Sequence, residues 1–461
     1  MPRFLRTRTI LAALIAVVAL IAAACTSSGQ DTPSTQDPST TVSTSVEGAT
    51  TTEAPLTSVP ASAIPGTNSP TISNEVAAAM REDIGVLMLD AEESRGLPFL
   101  SVPTVTILDM DDFTARVNDE LAEELSPEEL ASDEALLKLL GMLDDDVDLS
   151  SLLLDLYTEQ VAGFYDPDAK ELVVPVSVDG MTVLQKVTIV HELVHALTDQ
   201  HFDFNDEYER LVEEGNGDDA SGVLALVEGD ATYQQFLYVE TLSPFDAAQA
   251  AIEILSFDTT MIDSVPNWMR QDLGFPYEHG LTFVGQLVET GGLKALDEAY
   301  QDLPNTSEQI LDPNKYLRKE QPDPLTPLTV TLDGWELADE ATFGEWGIRL
   351  LLTDAVPPGA VTQAAAGWGN DSYRQFVRGD DTAMAWVYLG ETEQDAKDLV
   401  DALIVHVRGG MGASGGQESG GGLLFDGGDP WVFVDRVDDM IYMVVSNDPV
   451  AGADLRTQLG L

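Results

Sequence analysis

The stretch 187–201, Val-Thr-Ile-Val-His-Glu-Leu-Val-His-Ala-Leu-Thr-Asp-Gln-His, constrains the chain more than any other. It contains His191, Glu192 and His195 in the spacing H-E-x-x-H. On a helix, side chains four apart lie one turn above each other, so both imidazoles can reach one ion. At about 100° per residue, Val187, Ile189, Val190, Leu193, Val194, Ala196 and Leu197 fall on one broad apolar arc. Thr188, His191, Glu192, His195 and Asp199 share the narrow remainder. Such a helix must be buried on most sides, with one polar strip facing a cavity or a metal. Two neutral imidazoles suit Zn²⁺, and Glu192, next to the first of them, is placed to take a proton from water at that metal. Only five histidines occur in the 461 residues, which makes a chance match of this spacing improbable.

The surroundings of the motif set its compartment. Arg3, Arg6 and Arg8 precede an apolar run from Ile10 to Ile21, the layout of a secretory signal over residues 1–24. Ala22-Ala23-Ala24-Cys25 follows, and Cys25 is the only cysteine. A sole thiol at that place resembles the lipobox of bacterial lipoproteins, which implies lipidation of Cys25 and an anchor on the outer face of the cell membrane; Ala22 stands where that family usually has Leu. The other reading is cleavage after Ala-x-Ala and free secretion. Both place the mature chain outside the cytoplasm, without a disulfide. With 22 basic against 80 acidic residues the formal charge is −58, which repels nucleic acid and excludes it as a partner.

Residues 25–71 are rich in Ser, Thr and Pro, and are expected to form a disordered tether. A helical pattern runs over 72–95 and a strand over 102–108, followed by acidic helical segments to about 156. Asp144, Asp145, Asp146 and Asp148 are either a solvated acidic turn or a calcium site. Residues 160–175 predict a hairpin about Asp166-Pro167-Asp168, directly before the motif helix. Residues 203–219 are expected to form an acidic loop, and a second helix is expected over 220–240, carrying Glu228-Gly229-Asp230. A carboxylate set among apolar residues there needs a partner, for which a zinc ion would serve, and Gly229 would let another helix approach closely.

His191-Glu192-Leu-Val-His195 followed by Glu228-Gly-Asp-Ala resembles gluzincin-type zinc metallopeptidases, and more closely bacterial lipoproteins with an H-E-L-x-H-A-L-x-D-Q-H-F core. The likeness covers about residues 75–320. It implies His191, His195 and Glu228 as zinc ligands and Glu192 as general base. A competing third ligand is His201, ten residues after His191 as in metzincins; that pattern wants a turn-forming Gly at 198, where this chain has Thr198. By the same resemblance, Tyr277 and His279 are candidates for hydrogen bonding the oxyanion of a tetrahedral intermediate, or else packing residues. Asp199 and Asp230 are candidates to orient a ligand imidazole. In zinc peptidases a strand at the hairpin's place commonly pairs with extended substrate; otherwise the hairpin is structural.

The Pro-rich stretch 322–327 predicts a boundary. Beyond it, 328–461 predicts a smaller α+β module with a helix over 342–352, a strand over 383–389, a helix over 393–407, a Gly-rich loop over 409–428 and a closing hairpin. The expected fold class is thus α+β: a zincin-like domain over 72–321 with a hairpin before the motif helix, then this module. The expected activity is hydrolysis of a peptide or protein substrate. The alternative is a non-catalytic envelope lipoprotein that binds a metal or a partner.

Overall fold

The computed structural model describes residues 58–124, 126–160, 163–176, 180–256 and 259–461. The signal region, Cys25 and most of the expected tether lie outside them. The fold class is α+β, with helices packed around one three-stranded and one seven-stranded sheet. No helix among the described residues is long and apolar enough to cross a membrane.

The tether expectation fails at its C-terminal end. Residues 58–70 lie against the body: Ile64 is buried, Val59 N–H donates to Gly85 O, and Val105 and Ile107 N–H donate to Pro65 and Thr67 O. The physical cause is the sheet edge beside them. Strand β1 (Thr104–Leu108) pairs in parallel with β3 (Glu171–Pro175), and β3 pairs antiparallel with β2 (Phe164–Asp166), giving the order β1-β3-β2. The outer edge of β1 would otherwise expose unpaired backbone groups, and the polar segment 65–69 covers it. Strands β2 and β3 with the turn between them form the expected hairpin.

A helix spans Asn74–Arg95, begun by the Ser73 side chain accepting from Val76 N–H and ended by Gly96 at φ 73°. Its apolar face meets the sheet and the motif helix in one core that includes Ile84, Val105, Leu172, Ile189 and Val194. The motif helix runs Val183–Phe202, capped by Thr182 and closed by Asp203 at φ 49°. Where an acidic loop was expected, a short helix Asn205–Glu213 forms instead, because Tyr208 and Leu211, three apart, share a buried face. The helix carrying Glu228 spans Gly217–Thr241, and a second long helix spans Asn267–Gly291. These two cross where Gly229 meets Gly280: a Cβ on Gly229 would sit 2.4 Å from the Gly280 carbonyl carbon. Backbone-to-backbone approach of this kind is what Gly229 was expected to allow.

The C-terminal sheet has the order β4-β5-β6-β10-β9-β8-β7 and is antiparallel throughout. Its strands are β4 (Glu336–Ala341), β5 (Trp368–Arg378), β6 (Asp381–Gly390), β7 (Gln417–Ser419), β8 (Gly422–Phe425), β9 (Trp431–Val437) and β10 (Met440–Ser446). Both faces are covered, which is why β6 is apolar at successive positions: Met384, Trp386 and Tyr388 face one core, Ala383, Ala385 and Val387 the other. The expected Gly-rich loop contains β7 and β8, and an unforeseen helix, Pro449–Gln458, follows β10.

The sheet module packs on the first body through buried contacts. Trp346 stacks on Phe275 at 4.6 Å and donates its indole N–H to Asp272 at 2.7 Å. Burial pushes the Asp272 carboxyl up to about 7 from an ordinary 3.8. The folded protein therefore keeps a proton that the unfolded chain releases above about pH 4, so this group weakens the fold progressively as pH rises from about 4 to about 7. Asp272→Asn keeps the acceptor for Trp346 and removes the titration. Thermal melts should show no change at pH 4 and a gain of about a few degrees at pH 8; an equal change at both pH values would exclude this linkage.

Candidate metal centre

His191 and His195, one turn apart, meet edge to face with ring centroids 4.6 Å apart. Their Nε2 atoms are 3.0 Å from each other, and Glu228 Oε2 reaches the same point, 3.1 Å from His191 Nε2 and 3.4 Å from His195 Nε2. All three side chains are buried. Ligand atoms about 2.0–2.1 Å from a tetrahedral ion lie about 3.3 Å from one another, so this triangle has the size of one face of such a shell. Two imidazole nitrogens and one carboxylate oxygen are also a chemically apt donor set for it.

Glu192 also comes within 4.8 Å of both imidazole nitrogens. The direct contacts nevertheless belong to Glu228, and Glu192 is held differently. Its Oε2 accepts the backbone N–H of Tyr165 in β2 at 2.9 Å, while its Oε1 is buried with no hydrogen-bond partner. Burial pushes Glu192 up to about 8, against the pull of His195. Burial opposes charge on His195 as well, but Glu228 beside it, with Glu192 and Asp230, carries its pKa up to about 9. Burial would likewise raise Glu228; the two imidazoles outweigh it and hold the carboxyl down at about 2. His191, whose burial dominates, is depressed.

The other expected residues are placed variously. His201 lies on the last turn of the motif helix with Nε2 2.7 Å from Pro98 O, away from the triad. The helix runs unbroken through Thr198, whose hydroxyl donates to Val194 O, so no turn brings His201 back. Tyr277 is buried with its ring 6.2 Å from that of His191, interplanar angle 27°. His279 lies instead against Phe275 and Trp346, at 5.4 and 5.3 Å. The two sit in the middle of the helix Asn267–Gly291, and residues two apart point about 200° away from each other. Only Tyr277 faces the centre. The expectation of His279 as an oxyanion donor is thereby corrected: its ring packs between Phe275 and Trp346.

Asp199 and Asp230 do not orient a ligand imidazole. Asp199 accepts the Tyr165 hydroxyl at 2.7 Å and the Lys170 ammonium at 2.8 and 2.9 Å. It clamps the hairpin to the motif helix and so fixes the Tyr165 N–H that holds Glu192. Asp230 accepts from Arg95 Nε at 2.8 Å, Gln234 at 3.0 Å and the Tyr300 hydroxyl at 3.1 Å. Carboxylates are the commonest partners of ligand histidines, but these two are already occupied. The residues Tyr165 and Gln235 were overlooked; Gln235 lies seven after Glu228, on the same helix face, and that spacing was the available signal. Asp144, Asp145, Asp146 and Asp148 form no group close enough to share an ion. Among the described residues the second such group is Glu308, Glu320 and Glu391, gathered on the Lys315 ammonium.

A cavity of about 30 Å³ adjoins His195 and Glu228, walled by Tyr165, Phe204, Tyr208, Val223 and Val227. It has room for water but not for a peptide. A groove of about 900 Å³ lies elsewhere, between the helix Pro127–Leu139 and the sheet module. Its lining includes Glu128, Glu134, Asp380 and Asp429 but no histidine, so the buried centre is the better candidate for chemistry.

Residues 331–451 match a domain of unknown function (DUF8575). That match coincides with the sheet module and leaves out the His191, Glu192, His195 and Glu228 centre. No curated protein and no solved structure matches the chain.

Proposed function

We propose that this protein is an extracytoplasmic zinc-dependent metallopeptidase of the gluzincin kind, with a zincin-like domain and an anchor at Cys25. The observation that carries the reading is the meeting of His191 Nε2, His195 Nε2 and Glu228 Oε2 within 3.4 Å, beside a buried Glu192 oxygen that has no partner. His191, His195 and Glu228 would hold Zn²⁺. Bound zinc would supply Lewis acidity toward water and toward a scissile carbonyl. Glu192 takes a proton from the attacking water and passes it to the leaving amine. Tyr165 N–H keeps one Glu192 oxygen engaged, which leaves the other for that proton. Strand β2, which among the described residues has β3 as its one strand neighbour, is the element on which an extended peptide would lie. The sheet module supports the first body through the Trp346 contacts.

Tyr277, whose ring lies 6.2 Å from that of His191, is the candidate to steady a developing oxyanion. Tyr277→Phe should cut hydrolysis by about a hundredfold while zinc content stays at one per chain. Unchanged turnover would assign the hydroxyl to packing alone.

A second reading, a metal-binding envelope lipoprotein without catalysis, draws on the small size of the cavity beside the centre. Metal analysis of the purified chain, run alongside cleavage of an unbiased peptide library, separates the two. Zinc at about one per chain with cleavage supports the peptidase; zinc without any cleavage supports the binding protein; no zinc removes both.

A further inference from the structure

We propose that Gln235 is a positioning residue for His191: its carboxamide oxygen accepts the Nδ1 proton and so presents the Nε2 lone pair to the metal. The inference rests on the zinc-ligand reading of His191. Gln235 is fully buried on the helix that carries Glu228, two turns further on. Its Nε2 donates to Val187 O at 3.5 Å, and Val187 lies one turn before His191 on the motif helix. A carbonyl only accepts, so it claims the nitrogen end of the carboxamide and leaves the oxygen end for a donor.

His191 can supply that donor. Its Nε2 is turned to Glu228 and His195, while its Nδ1 is buried and makes no hydrogen bond. The Gln235 oxygen is likewise buried and unclaimed. A bond between them would satisfy both atoms, one turn of the motif helix from the Val187 carbonyl that anchors the amide. An imidazole that binds a metal through Nε2 must carry its proton on Nδ1, and an acceptor there selects that tautomer and holds the ring angle. Since Asp199 and Asp230 are committed to Lys170 and Arg95, the task falls to an amide rather than a carboxylate.

The test uses the full chain, Zn²⁺ alone as the probe in competition with a chromophoric chelator, and the visible spectrum of the Co²⁺-loaded form. Gln235→Leu keeps much of the volume and removes the acceptor. It should bind zinc about 10–100-fold more weakly than the parent and show an altered Co²⁺ spectrum. Gln235→Glu restores an acceptor and should recover at least part of that loss, an outcome that a packing role would not produce; it also decides the matter should the Leu variant fail to fold. Parent-like zinc affinity in Gln235→Leu, or no recovery in Gln235→Glu, overturns the proposal. Failure of the parent itself to bind zinc removes the metal reading first, and this inference with it.

Discussion

Glu192→Gln should keep the fold and the metal and lose peptide hydrolysis by about a hundredfold or more, the usual weight of a general base. Glutamine has the same length, and its oxygen can still accept the Tyr165 N–H that now bonds Glu192 Oε2. What it loses is the second carboxylate oxygen, buried and without a partner, which is the site able to take a proton. His195→Ala provides the contrast. It deletes one of three converging ligand atoms and leaves the buried Glu228 carboxylate without the neighbour that does most to hold its pKa down, so zinc should be lost together with activity. Zinc content and turnover measured on both variants resolve the roles. Parent-like turnover by Glu192→Gln would end the proposed mechanism.

Gly229→Ala should destabilise the protein by about 3 kcal/mol or more, at the upper end for a single added methyl. The new Cβ would lie 2.4 Å from the Gly280 carbonyl carbon and oxygen, and the Gly280 position is itself pressed on Ala225 O. All of these are backbone atoms inside two long helices, so no side chain can swing aside. Glu228, adjoining the crossing, would move with any separation of the helices, and zinc affinity should fall in parallel. Gly285→Ala is the control on the same partner helix: nothing lies within 4 Å of its would-be Cβ, and Ala there should stabilise by up to about 1 kcal/mol. Urea unfolding of the three proteins gives the comparison. Equal midpoints for Gly229→Ala and the parent would refute the close crossing.

The motif helix, Glu228 and the role of Gly229 were legible from local information, because helical spacing and the burden of a buried charge are properties of a short stretch. The α+β class, the hairpin before the motif helix, and in the sheet module β6, the closing hairpin β9–β10 and the helices Gly344–Leu352 and Glu393–Gly409 were legible for the same reason: alternation, apolar runs and turn residues act over a few positions. Less was legible at the joints. The helix Asn267–Gly291 contains Pro276, an interior position that ordinarily costs about 3 kcal/mol, and burial of Trp268, Phe275, Tyr277, Phe283 and Leu287 along it offsets that cost. Residues 58–70 have the composition of a tether and become ordered because a sheet edge 40 residues away lacks backbone partners.

By itself the sequence determined that His191, Glu192 and His195 share one strip of a mostly buried helix, since 3.6 residues per turn leaves no other arrangement. It also determined that a carboxylate at 228 would need a partner. Which residues completed the centre was decided by the tertiary structure alone. His201 and Glu228 were both admissible third neighbours until Pro98 O engaged the one and the crossing at Gly229 and Gly280 set down the other. Tyr277 and His279 were separated by the helix face that turned toward His191. Asp199 and Asp230 were drawn to Lys170 and Arg95, cations brought near by contacts 29 and 135 residues distant in the chain. Spacing along a helix is fixed by covalent geometry, whereas the choice among competing partners is made by packing between elements that no local pattern records.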